Sequence, residues 1–166
     1  MTRAATTRWG ALALTAAALL AGCGEGEPER DQAGAITTAA DTRLLTLRTG
    51  DCVKNFRDRL EHPDGGHNGV PKITAVNCSK AHDAEVLLVQ KLDEAGEKWP
   101  GYAIVNGEGA RGRQQLLPRL QRIKRADGPL TLVAFRPSDD RWVYEDQYSI
   151  YYLALYPKPQ TGSAPE

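Results

Sequence analysis

The chain has 166 residues with 21 basic and 21 acidic side chains, so its formal net charge at pH 7 is zero. That balance creates no field to recruit nucleic acid or an anionic membrane face. The length suits one ordinary domain rather than two.

Arg3 and Arg8, with no acid between them, precede an apolar stretch from Trp9 to Ala21. This stretch falls short of the roughly 20 residues a spanning helix needs. It closes on Leu20-Ala21-Gly22-Cys23, the four-position pattern of a bacterial lipobox, in which small residues mark a cleavage site and the cysteine thiol accepts a diacylglyceryl group. Residues 1–22 therefore read as a removed lipoprotein signal peptide. The mature chain is expected to start at a lipidated Cys23 and to be held in the lipid bilayer on the extracytoplasmic side of the cell membrane. Losing the two leader arginines leaves 19 basic against 21 acidic residues. Residues 23–43 are rich in Gly, Ala, Thr and charge, with Ile36 the only large apolar side chain. Such a segment buries too little to order itself, so it is expected to be a flexible tether with a reach of about 25 Å. The domain is then expected over residues 44–157, with a polar tail over 158–166.

With Cys23 assigned to lipid, Cys52 and Cys78 remain. Outside the plasma membrane two such thiols usually pair. The ring would close over about 27 residues, worth roughly 3.5 kcal/mol in the chain-entropy description. No Cys-x-x-Cys is present to argue for a redox pair.

Leu44-Leu45-Thr46-Leu47 reads as a strand ended by a turn at Gly50-Asp51. Val53, Phe56 and Leu60 have the spacing of a short amphipathic helix or an irregular packed segment. The run from His62 to Gly69 is turn chemistry throughout. Ile73, Ala75 and Val76 lead to Cys78, and Glu85 to Leu92 is a strongly strand-like run. Trp99-Pro100-Gly101 is a turn. Leu116, Leu117, Leu120 and Ile123 define one face of a helix, with Arg119, Arg122 and Lys124 on the other. Pro118 marks a kink or a helix start. Leu130–Phe135 reads as a strand, 137–140 as a turn, and Gln147–Tyr156 as a tyrosine-rich strand. The fold class is therefore α+β, with a small, mainly antiparallel sheet, one principal helix and one disulfide.

Gly107-Glu108-Gly109-Ala110-Arg111-Gly112 matches G-x-G-x-x-G, and Asp127 follows 20 residues after Gly107. No βαβ unit surrounds the match, so the glycines read as a loop or helix start rather than a dinucleotide site, and no cofactor is expected. His82, Asp83 and Glu85 invite a metal reading. An extended backbone would put Asp83 and Glu85 on one face and His82 on the other, short of the three or four converging ligands that zinc takes. They are expected instead to bond nearby backbone and to do structural work. His62 and His67 read as solvated loop residues. No Gly-x-Ser-x-Gly elbow or other nucleophile arrangement is present. Trp142, Tyr144, Tyr148 and Tyr152 concentrate aromatic character near the C-terminus, and Tyr148, Tyr152 and Tyr156 would share one strand face. That face could stack on a glycan or a partner protein, or pack in the core.

Gly50-Asp51-Cys52 followed by Cys78-Ser79-x-x-His82-Asp83-x-Glu85-Val86 resembles the bacterial septum-formation domain family. The later Trp99-Pro100-Gly101, the interval from Pro137 to Trp142, Glu145-Asp146 and Thr161-Gly162-Ser163 fit as well, and the resemblance covers residues 44–163. It implies a non-enzymatic, envelope-associated module linked to septum formation, with an envelope protein as partner. The chain departs from the family in lacking a second cysteine pair between the central helix and the last strand, where it offers Arg113, Gln114 or Gln115 and Tyr151 or Tyr152. Two alternatives are a cell-wall glycan-binding module and a metal-dependent hydrolase.

Overall fold

The computed structural model describes residues 26–61, 72–92, 98–123, 128–137, 139–142 and 149–164. In chain order its elements are β1 (Ala40–Arg43), β2 (Cys52–Lys54), α1 (Phe56–Glu61), β3 (Lys72–Val76), β4 (His82–Lys91), α2 (Tyr102–Arg122), β5 (Thr131–Phe135), α3 (Asp139–Trp142) and β6 (Ser149–Gln160). Among the described residues six strands form one sheet in the order β1-β3-β2-β4-β6-β5, every pairing antiparallel. The chain is an α+β fold with one main helix and one disulfide.

β4 is a middle strand and β6 lies between it and the edge strand β5; both carry apolar runs that can bury both faces. Along β6 the two sides alternate. Tyr151, Leu153 and Leu155 join Phe56, Ile73, Val53 and Leu44 on one face. Ile150, Tyr152, Ala154 and Tyr156 join Leu87, Val105, Leu116 and Trp142 on the other, beneath α2. No helix among the described residues is long and apolar enough to cross a membrane.

Three expectations need correction. Leu44–Thr46 is a 3-10 turn rather than a strand, and the strand lies just upstream as β1. Leu44 and Leu47 are both buried in the same cluster. An i, i+3 pair shares a side in a 3-10 turn but falls on opposite faces of a strand. Second, residues 26–43 are part of the fold. β1 pairs with β3, Ile36 is buried, and the Asn77 side-chain N–H donates to the Ile36 carbonyl at 2.7 Å. Thr42 is buried, and its hydroxyl donates to the Gly26 carbonyl at 2.8 Å. Polar groups thus dock a segment that has almost no apolar side chains. Third, the expected tail is packed. β6 continues to Gln160, the Gly162 N–H reaches the Cys78 carbonyl, and Ala164 is buried.

The principal helix is also longer than its leucines suggest. α2 carries Pro118 in its interior and places all of Gly107, Gly109 and Gly112 in helical backbone. Its buried positions are Val105, Gly109, Gly112 and Leu116. Of the predicted face, Leu116 and Ile123 are buried and Leu120 packs against the same cluster, whereas Leu117 is 49% exposed. Two glycines of the G-x-G-x-x-G match serve packing: a Cβ on Gly112 would land on the Tyr152 hydroxyl and the Gln90 side-chain oxygen, and one on Gly109 would press on the Arg136 guanidinium.

Candidate functional site

Gly50 adopts φ 92°, a conformation that L side chains rarely enter, and so starts the turn that delivers Asp51 and Cys52 to β2. The Gly50 N–H donates to the Val86 carbonyl, and the Val86 N–H donates to the Asp51 carbonyl, both at 2.8 Å, fastening the turn to β4. The buried Asp51 carboxylate accepts three charge-assisted or backbone bonds: both terminal nitrogens of Arg30 and the Arg48 N–H, each at 2.7 Å. The paired carboxylate holds the Arg30 guanidinium in its charged form, raising its pKa against the opposing effect of burial. This two-pronged pair clamps the N-terminal segment onto the Gly-Asp-Cys turn. Sequence reasoning missed Arg30, and nothing local distinguishes it from the other charges around it.

Cys52 and Cys78 form the expected disulfide, with 5.2 Å between their Cα atoms. Cys52 is fully buried. Cys78 borders an open cleft of about 670 Å³ whose rim includes Arg30, Arg48, Gly50, Asn77 and Ser79. A second hollow of about 540 Å³ runs beside α2 at Pro100, Ile104, Gly107 and Arg111.

His82, Asp83 and Glu85 are all buried, but they do not divide as predicted. A register shift between His82 and Ala84 breaks the strict alternation of β4. Asp83 turns to α1, accepting the Phe56 and Arg57 N–H groups at 2.9 and 3.0 Å. It caps that helix from another strand, because Asn55 just before it sits at φ 60°. His82 goes to the opposite side with Glu85. Its ring meets Tyr156 edge-on at 5.8 Å, and Nδ1 is 2.8 Å from the Lys80 carbonyl. Glu85 accepts the Tyr156 hydroxyl at 3.0 Å, the Ala164 N–H at 2.6 Å and an Arg119 N–H at 3.3 Å. Arg119 also donates to the Leu87 carbonyl at 3.1 Å. Placing Arg119 on the outer helix face was therefore an error. It lies three residues after buried Leu116 and four before buried Ile123, and that spacing was available as a signal.

The aromatic candidates are core residues where described. Trp142, Tyr152 and Tyr156 are buried, which removes the glycan-stacking face from these positions. Trp142 packs edge-on against Trp99 at 5.1 Å. The Tyr152 hydroxyl donates to the Gly109 carbonyl at 2.9 Å, and burial pushes its pKa up. Tyr144 and Tyr148 lie outside the described residues, as do Cys23, His62, His67, Asp127 and Glu145-Asp146.

Comparison with known proteins returned no match: no family model, no curated protein and no solved structure is significantly similar to this chain.

Proposed function

We propose that the chain is an exported lipoprotein whose α+β domain is a non-enzymatic binding module at the cell envelope, anchored by an acylated Cys23 and linked to septum formation. The observation that carries this reading is the lipobox from Leu20 to Cys23 behind a basic, acid-free start. The disulfide between Cys52 and Cys78 suits an oxidising, extracytoplasmic setting. The link to septation rests on the family-like pattern around Gly50-Asp51-Cys52 and His82-Asp83-x-Glu85. An envelope protein is the proposed partner, and the cleft beside Cys78 is the surface that would receive it.

The packing of residues 26–43 changes how such a domain would sit. Only three peptide steps separate Cys23 from Gly26, a reach of about 10 Å rather than the 25 Å of a free tether. The cleft, clamped to this segment through Arg30, would lie close to the lipid surface and face partners embedded there. Cys23→Ala should move the protein from the membrane fraction to an unprocessed or soluble form. Membrane retention with unchanged lipid labelling would contradict the anchor. A photo-crosslinker at Ser79, exposed on the cleft rim, should capture one envelope protein reproducibly, and its loss with the Cys23→Ala change is expected.

A further inference from the structure

Cys52, His82 and Glu85 each bring one ligand-type atom to a common point. A sulfur, a ring nitrogen and a carboxylate oxygen lie within 4.8 Å of one another, and all three residues are buried. Cys52 and Glu85 are register partners across β2 and β4, and the irregularity after His82 brings the imidazole to the same side. While Cys52 is bridged, its sulfur carries no thiolate charge and the cluster is an incomplete metal site. Two further observations point to what completes it. Nδ1 of His82 is turned to the Lys80 carbonyl, which leaves Nε2 buried and without a hydrogen-bond partner among the described residues. Metal-bound histidines are held in the same way, with the second ring nitrogen donating to a carbonyl or carboxylate. The bridge is also asymmetric, since Cys78 borders the cleft and Cys52 is sealed beneath it.

We propose that reduction of the Cys52–Cys78 bridge converts this corner into a zinc site, with the Cys52 thiolate, His82 Nε2 and Glu85 Oε1 as ligands. An exported dithiol attacks Cys78 Sγ from the cleft. A sulfur–sulfur bond forms there, the old bond breaks, and its electron pair leaves on Cys52. The second thiol of the reductant resolves the mixed disulfide, so the dithiol is oxidised by two electrons to its own disulfide. One of its protons ends on Cys78, and the other goes to solvent because zinc-bound Cys52 stays ionised. Thiolate, imidazole and carboxylate together suit zinc better than magnesium or calcium, which take oxygen ligands.

The geometry is within reach. Zinc bonds of about 2.0–2.3 Å at tetrahedral angles set donors about 3.5 Å apart. Gaps of up to 4.8 Å therefore close by roughly 1 Å, and cutting the bridge frees the Cys52 side chain to rotate. The Tyr156 hydroxyl and the Ala164 N–H hold Glu85 Oε2 and so orient Oε1. Arg119, now 3.3 Å from Oε1, retains its bond to the Leu87 carbonyl. Water or the freed Cys78 fills the fourth position.

The test uses the mature chain with cobalt as a spectroscopic probe and zinc as competitor. The oxidised protein should bind neither. The protein reduced with a phosphine, and a Cys78→Ser variant without any reductant, should each bind one cobalt with a sulfur-to-metal charge-transfer band that zinc abolishes. Adding Cys52→Ser should erase the band. Adding His82→Gln or Glu85→Gln should weaken binding by more than the roughly 10–100-fold that loss of an outer-shell partner costs. A folded Cys78→Ser protein without the band, or one indifferent to His82→Gln, overturns the proposal. So does a Cys78→Ser protein that stays unfolded with and without metal, because a site gated by the bridge must survive its loss.

Discussion

Asp83 shows how a motif-like residue can act through backbone alone. Its two oxygens hold the first N–H groups of α1. Asp83→Ala should lower stability by about 1–2 kcal/mol, the range for losing a helix cap or a buried hydrogen-bond partner. The urea midpoint should fall with little change in slope. That Asp83 bonds nearby backbone was legible from its position at the strand entry. Its separation from Glu85 was not, because a bulge in β4 leaves no local mark while it resets every face before it. Tyr151 and Tyr152 make a second residue-scale prediction. Burial raises both phenol pKa values in the folded chain. Their contribution is thus fully present below the unfolded value of about 10 and is lost as pH rises through the folded values. Alkaline unfolding followed by circular dichroism should begin above about pH 10, coincide with phenolate absorbance, and move to higher pH in Tyr151→Phe.

The contact between α2 and the sheet is decided by Gly112. Tyr152 and Gln90 occupy the space a methyl group would need, so the backbone of α2 packs directly against them there. Gly112→Ala should cost about 1–3 kcal/mol as overpacking, despite the better helix propensity of alanine. A control at Gly107, where a Cβ meets nothing within 4 Å, should be neutral or stabilising by circular dichroism melts. β4, β5 and β6 were legible because their apolar runs are long and bounded by turn residues. α2 was read short: its first half is glycine-rich, and glycine packed against tyrosine carries no hydrophobic periodicity.

At the scale of the whole molecule, the N-terminal segment is the main surprise. A composition argument counts large apolar side chains, and residues 26–43 hold only one, Ile36. What orders the segment is pairing with β3 and the Arg30 clamp on Asp51, both long-range and invisible to local composition. A chain starting at Gly26 should fold cooperatively. One starting at Leu44 loses β1, Ile36 and the clamp, and should melt well below it or fail to remain soluble. Arg30→Ala alone should destabilise by about 1.5–3 kcal/mol, since it leaves a buried carboxylate short of its charged partner. The central claim, an exported, lipid-anchored domain closed by one disulfide, is tested most directly by mass analysis of the protein isolated under non-reducing conditions from membranes. The account predicts a chain beginning at diacylglyceryl-modified Cys23 and a peptide joining Cys52 to Cys78. A soluble chain retaining Met1, with both cysteines open to alkylation, would contradict it.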